Sequence, residues 1–191
     1  MKKLQTSLFK QQQHCSAIND THPSNVLKFC PFCGSKNFIW DNKKSHNCLD
    51  CGKRLYTNEV GAVIALIENE KGECLFTTRK FDPAKGKLDL PGGFIDLGET
   101  AEQAVVREIK EELNLVVEQM TFLCTLPNQY QFRGLTYFTI DIVFRCLVKD
   151  FAPLCANDDV ESVHFVNCQE VDIEQIGLDS VKLLVQQLKQ L

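Results

Sequence analysis

Two short cysteine knuckles constrain this chain more tightly than any other local feature. Cys30-Pro31-Phe32-Cys33-Gly34 is followed by Cys48-Leu49-Asp50-Cys51-Gly52, with fourteen residues between Cys33 and Cys48. Each Cys-x-x-Cys closed by Gly makes a tight turn that can aim two thiolates at one ion. Two such turns complete a tetrahedral four-sulfur shell of the kind Zn2+ takes. The intervening segment is long enough for a hairpin to leave one knuckle and return to the other, with Phe38, Ile39 and Trp40 as its small core. A redox Cys-x-x-Cys is the alternative reading, but it leaves the second knuckle unexplained. His46 stands two residues before Cys48; four sulfurs already close the shell, so an exposed loop histidine is expected. A closed shell makes the zinc structural, since a catalytic zinc keeps one position open for water.

The remaining composition sets the outer limits. With 191 residues, 44% of them hydrophobic, 13 Phe and 24% charged, the chain has enough apolar surface for one core plus a small module, which excludes general disorder. No apolar run has the length of a membrane span, and Met1-Lys2-Lys3-Leu4-Gln5-Thr6-Ser7 turns polar where a signal peptide would turn apolar. A cytoplasmic protein is expected. Without export, the six isolated cysteines, Cys15, Cys74, Cys124, Cys146, Cys155 and Cys168, read as small hydrophobes rather than a disulfide framework. The charge is divided: up to Thr57 there are nine Lys and Arg against three Asp, a balance of +6, and beyond it twelve against twenty-two, a balance of −10. Two modules of opposite sign follow.

From Glu59 the texture changes. Val60 to Ile67 is a continuous apolar run of buried-strand length, Asn69 to Gly72 is a turn, and Cys74 to Thr78 returns as a second strand. Lys87-Leu88-Asp89-Leu90 leads into Pro91-Gly92-Gly93. Thr100 and Gln103 form a capping box, which predicts a helix over residues 101–113. At about 100° per residue, Glu108, Glu111 and Glu112 share one arc of that helix, while Val106, Ile109 and Leu113 form the expected buried stripe. Three like charges on one arc call for a bound cation, and hard divalent ions take oxygen ligands; a solvated acidic face is the plainer alternative.

The residues here carry a family resemblance. Gly93, Glu99 and Arg107-Glu108-Ile109-Lys110-Glu111-Glu112-Leu113-Asn114-Leu115 closely resemble the Nudix box, G-x5-E-x7-R-E-U-x-E-E-x-G-U, where U is a bulky aliphatic. Eight of nine defined positions match, and Asn114 replaces the final Gly. Asn is the residue after Gly best able to take the left-handed cap that this position supplies. The resemblance implies an α+β fold, a Nudix α/β/α sandwich with a mixed sheet. It also implies hydrolysis of a nucleoside diphosphate linked to another group, with Mg2+ or Mn2+. Glu108 and Glu112 would be the main metal ligands, Glu111 an auxiliary ligand or water-orienting group, and the Gly93 carbonyl a further ligand. Arg107 would fix the carboxylates, with Glu99 as its partner. Asp158, Asp159 and Glu161 are candidates for a base from a later loop, or an ordinary acidic turn. Arg79, Lys85, Lys87 and Arg133 are candidate phosphate contacts, or surface cations.

A zinc ribbon ahead of such a domain resembles the NADH pyrophosphatases over roughly residues 28–191. Their S-Q-P-W-P-F-P-x-S motif is replaced by Leu126-Pro127-Asn128-Gln129-Tyr130-Gln131-Phe132-Arg133-Gly134-Leu135, in which Tyr130 and Phe132 keep a spacing of two and can stack on a base. Downstream, a long strand is expected from Thr136 to Val148 and a shorter one over Val163–Val166. A closing helix capped by Asp179-Ser180 follows, and His164 reads as a surface histidine. The expected organisation is a polar arm over 1–24, a zinc ribbon over 25–57 and a Nudix hydrolase domain over 58–191. The expected function is a pyrophosphatase for NADH-, NAD- or ADP-ribose-like substrates releasing a nucleoside monophosphate. Family relatives are often dimers, so a homodimer is possible. The other reading is a nucleotide-sensing or RNA-binding module that uses the basic ribbon, with nucleotide-capped RNA as a candidate substrate.

Overall fold

The computed structural model describes residues 18–190. Most of the expected polar arm, and Cys15 with it, lies outside the described residues. The described chain divides into two compact units: residues 60–128 with 139–190, and residues 18–59 with Gln129–Phe138. No described helix is long and apolar enough to cross a membrane.

In the smaller unit a one-turn helix α1 (Pro23–Val26) precedes three short antiparallel strands, β1 (Phe38–Trp40), β2 (Ser45–Cys48) and β3 (Arg54–Tyr56). The register pairs Phe38 with Cys48, Trp40 with His46 and His46 with Leu55, so side-chain alternation turns these residues to one face. Phe38, Cys48 and Cys30 are buried there against Leu27 and Leu55. Ile39, expected in this core, alternates outward and is 52% exposed. His46 also differs from expectation. Asp41 accepts the amides of Lys43, Lys44 and Ser45, which closes the turn early and places His46 in β2. The imidazole is 1% exposed, stacked on Phe38 at 4.7 Å and packed on Trp40 at 4.9 Å. Burial lowers its pKa, which favours the neutral ring.

In the larger unit β4 (Val60–Ile67) is the organising strand. It pairs antiparallel with β7 (Gly92–Phe94) and parallel with β9 (Leu135–Leu147), and β8 (Gln119–Phe132) completes the order β7-β4-β9-β8. A second sheet runs β10 (Val160–Val166), β5 (Cys74–Arg79), β6 (Leu88–Asp89). Alternation along β4 feeds two cores. Val63, Ala65 and Ile67 pack with Val105, Ile109 and Leu113 of α2 (Ala101–Leu113). Ile64 and Leu66 pack with Val181, Leu184 and Val185 of α3 (Asp179–Leu188) on the other side. This is the expected sandwich with a mixed sheet.

Several local expectations shift. The buried stripe of α2 runs through Ala104, Val105, Ile109 and Leu113, while Val106 is 40% exposed. The rotation brings Glu112 to the buried edge of the helix. Helix α3 starts at Asp179 behind Leu178, with no side-chain cap; Leu178 packs against the core, so burial sets the start. Cys74 and Cys168 are joined in a disulfide, contrary to the reading of isolated thiols, because antiparallel pairing sets Cys74 opposite Val166. Cys124 and Cys146 are the expected buried thiols, whose pKa values burial pushes up to about 11 and about 12. Cys155 is exposed. His164 is exposed as expected, within 3.0 Å of the Thr78 and Ser162 hydroxyls.

Helix α2 is closed at both ends by side chains. Thr100 and Gln103 make the reciprocal capping box, and Asn114 takes the left-handed conformation at φ 56°. The Asn114 amide also donates to the Pro153 carbonyl at 3.1 Å, tying down the loop before β10. Asn114→Ala forfeits both cap geometry and tie, and is expected to lower stability by about 1–2 kcal/mol. Asn114→Gly keeps the geometry and should lose less than half as much in urea titration. Equal losses would show that the tie, and not the backbone conformation, carries the effect.

Candidate active site

The site is built where β7 meets the exposed face of α2. Gly92 has φ 151°, and a side chain there would come within 2.0 Å of the Val63 carbonyl oxygen. At Gly93 a Cβ would lie 2.3 Å from Glu108 Oε1. The two glycines therefore let the backbone press against the helix carboxylates. Gly92 donates its N–H to Glu112 Oε2 at 3.1 Å.

Arg107 organises the carboxylates. Its Nε and Nη2 donate to the two oxygens of Glu99, each at 2.9 Å, its Nη1 to Glu108 at 2.9 Å and Glu111 at 3.1 Å, and its Nη2 to the Phe94 carbonyl at 3.0 Å. Glu99 in turn accepts the Asp96 amide at 3.0 Å. The hydrogen bond from Arg107 holds the Glu99 pKa below its ordinary value, and the Glu99 hydrogen bond raises that of Arg107.

Glu108 and Glu112 are in a different condition. Glu112 is 8% exposed and the Glu108 side chain 12%. Burial raises both pKa values, well above the ordinary carboxylate for Glu112. Arg107 offsets part of this at Glu108, and the Gly92 amide part of it at Glu112. The negative charge of Asp158 pushes Glu108 further, and Asp89 and Asp159 push Glu112. The 150s loop is pinned beside the helix by Cys155 N–H to Leu113 O at 3.1 Å and Asn157 N–H to Glu112 O at 2.8 Å. Lys80 holds its far end, donating Nζ to Asp158 O and its amide to Asp159 O, both at 2.9 Å. Asp158 and Asp159 thus belong to the electrostatics of this site, while Glu161 lies exposed on β10.

Two of the candidate phosphate contacts, Arg79 and Lys87, are otherwise engaged. Arg79 donates to buried Asp89 at 2.6 Å and to Pro83 O at 2.6 Å, and Lys87 to Glu174 O at 3.0 Å. Lys85 is exposed. Tyr130, Phe132 and Arg133 are in the smaller unit, with ring centroids of the two aromatics 6.3 Å apart and the Arg133 guanidinium 5.1 Å from the Phe132 ring. The sequence reading missed Asp89 and Asp141. Asp141 is 3% exposed and bonded by the Thr139 hydroxyl at 2.5 Å; burial raises the Asp89 pKa, with the Asp141 charge adding to it and Arg79 opposing it. The signal was there: each acid stands between two aliphatic residues in a strand.

In the smaller unit all four Sγ atoms of Cys30, Cys33, Cys48 and Cys51 lie within 4.8 Å of one another, with Cys30–Cys51 at 3.7 Å and Cys33–Cys48 at 3.6 Å. A tetrahedron with zinc–sulfur arms of about 2.3 Å has edges of nearly 3.8 Å, so the cluster is compatible with zinc. Among the described residues no set of three carboxylates converges this closely, since Glu111 is turned to Arg107.

A profile of the NUDIX domain matches residues 58–186, and the acidic helix, its glycine loop and its arginine lie inside that span. The chain belongs to the Nudix hydrolase family. It is 28% identical over 138 residues to the NAD-capped RNA hydrolase NudC of Vibrio atlanticus, a match that covers 72% of this chain and 51% of that protein. It is 36% identical over 133 residues to the ADP-ribose pyrophosphatase of Methanocaldococcus jannaschii, covering 69% of this chain and 74% of that one. The chain thus spans about half the length of the NudC relative. Among solved structures, a NUDIX hydrolase from Nitrosomonas europaea shares the fold, with a TM-score of 0.57 and 24% identity, over 85% of this chain and 88% of that one. Nudix enzymes use divalent metals such as Mg2+ or Mn2+.

The buried Nudix carboxylates set a sign for stability against pH. A folded-state pKa raised above the unfolded value favours the protonated form in the fold, so stability falls as pH rises through that range. Glu112→Gln keeps an acceptor for the Gly92 amide and removes the buried charge. In chelator, this variant is expected to melt above wild type at pH 8, with the gap closing as pH falls toward the ordinary carboxylate range. A lower melting point at pH 8 would contradict the burial argument.

Proposed function

We propose that this protein hydrolyses the pyrophosphate bond of nucleoside diphosphate derivatives of the NADH, NAD or ADP-ribose kind and releases a nucleoside monophosphate. The observation that carries the reading is the pair Glu108 and Glu112, buried against a glycine loop with raised pKa values and no basic residue closer than Arg107 among their hydrogen-bond partners. Such a pair is costly to ionise unless a cation shares the site. Glu108 and Glu112 would hold Mg2+ or Mn2+, with Glu111 and the Gly93 carbonyl as further ligands. A bound divalent ion supplies charge for the anionic phosphoryl oxygens and lowers the pKa of the attacking water.

The chain's own groups do the rest. Arg107 keeps Glu108 and Glu111 oriented and is itself anchored on Glu99, so it positions ligands instead of binding substrate. Asp158 and Asp159 are the candidates for proton acceptor, since they face the same pair of carboxylates. The names of the NudC and ADP-ribose pyrophosphatase relatives support this substrate class. The four cysteines would hold one structural Zn2+.

Two measurements test the reading. With magnesium and a panel of NADH, NAD, ADP-ribose and nucleoside triphosphates, the expected result is cleavage of a dinucleotide or ADP-ribose to a nucleoside monophosphate. Glu112→Gln should lower turnover by about a thousandfold or more. No cleavage of any member, or a variant within about tenfold of wild type, would overturn the assignment. Elemental analysis of protein purified without chelator should find one zinc per chain, and Cys33→Ser should lose it; zinc-free wild-type protein would overturn the ribbon reading.

A further inference from the structure

The outward face of the β1-β2-β3 sheet is unlike the rest of the surface. The same alternation that buries Phe38, His46 and Leu55 turns Ile39, Asn47 and Arg54 outward in one cross-strand row, with Tyr56 beyond Arg54 on the same face of β3. Tyr56 is 48% exposed and Arg54 is exposed. Arg54 is held in place by its Nε bond to Asn47 Oδ1 at 2.6 Å and lies 5.7 Å from the Tyr56 ring centroid. Lys44, from the turn before β2, lies 5.9 Å from the same ring. The pairing of cation with bare ring repeats at the knuckles, where Lys53 is 4.8 Å from the half-exposed Phe32 ring and Lys36 is 5.8 Å from Phe29.

Acids are kept off this surface. Residues 27–57 contain six Lys and Arg and two Asp. Both Asp carboxylates are engaged within the module: Asp41 accepts three backbone amides and the Ser45 hydroxyl of its own turn, and Asp50 reaches across to the first knuckle to accept from Ser35 and Asn37. Four thiolates around one Zn2+ would carry −2 and still leave this segment positive.

We propose that this sheet face binds single-stranded RNA, with Tyr56 as a stacking platform for a base and Arg54 and Lys44 as contacts to the flanking phosphates. Exposed rings flanked by cations fit a chain that alternates flat bases with phosphates. An acidic peptide has no use for the rings, and an anionic membrane would select a continuous apolar patch, whereas here each ring is paired with a cation. The choice of RNA rests on the hydrolase reading, because an RNA chain attached to the nucleotide is one form of the variable group of such substrates.

The test is fluorescence anisotropy of the full, zinc-loaded chain with a labelled RNA of about twelve nucleotides carrying a 5′ hydroxyl, so that no pyrophosphate is present. Binding is expected. Tyr56→Leu should weaken it by about tenfold to a hundredfold, the worth of one stacked base. Arg54→Gln with Lys44→Gln should weaken it and flatten the salt dependence by about 1.4 in log–log slope, at roughly 0.7 per lost phosphate contact. Both variants should keep their zinc and their turnover on a free dinucleotide. Should Tyr56→Leu lose zinc, Lys44→Gln with Lys53→Gln carries the same test from two exposed ammonium groups. No RNA binding at low salt, wild-type affinity in folded Tyr56→Leu, or equal binding of same-sequence DNA or anionic phosphatidylserine vesicles would each overturn the proposal. Dinucleotide turnover is read separately, so failure of RNA binding leaves the hydrolase reading standing, and loss of turnover with RNA still bound identifies the opposite case.

Discussion

The larger unit depends on one cation. Arg107 donates to Glu99, Glu108 and Glu111, and its remaining reach goes to the Phe94 carbonyl. It therefore joins the helix to the loop that precedes it and to strand β7 in a single set of bonds. Without it, three carboxylates on one helical arc would repel, and the half-buried Glu108 would have no positive partner among its hydrogen bonds. The arrangement leaves Glu112 outside the arginine's grip, with the Gly92 amide as its donor among the described residues. That is the division proposed for a metal site: Glu99, Glu108 and Glu111 are oriented by the arginine, and buried Glu112 gains most from a cation that shares the site.

The chain presents two clusters of candidate ligands with opposite logic. The cysteine cluster is closed by two knuckles, with Gly34 and Gly52 at φ 74° and 70° letting each loop turn back, and its donor atoms already converge. Such a site spends its coordination on folding. The carboxylate cluster shares Glu111 with Arg107 and feels the charges of Asp158 and Asp159 from a different loop.

Much of this was legible in the sequence because it is local. A capping box, a left-handed Asn and a row of carboxylates at helical spacing are written within twenty-three residues, and the strand over Val60–Ile67 is an uninterrupted apolar run. What escaped was set by partners distant in sequence. Strand β8 has a half-exposed, irregular pattern that only pairing with β9 explains. Asp89 and Asp141 are buried by elements packed over them, and Cys168 meets Cys74 across 94 residues. His46 was expected in an exposed loop because four sulfurs left it no ligand role; Asp41 instead closes the turn early and sets it in β2. Arg79 looked free for phosphate until Asp89 was placed beside it.

The central claim is that Glu108 and Glu112 are held buried in order to bind a divalent cation. Manganese titration followed by electron paramagnetic resonance reads this directly, without substrate. Affinity should rise with pH as the raised carboxylates ionise, and Glu112→Gln should weaken it by more than about a hundredfold, beyond the loss typical of a merely supporting residue. Manganese that binds Glu108→Gln and Glu112→Gln as tightly as wild type, at every pH, would contradict the account.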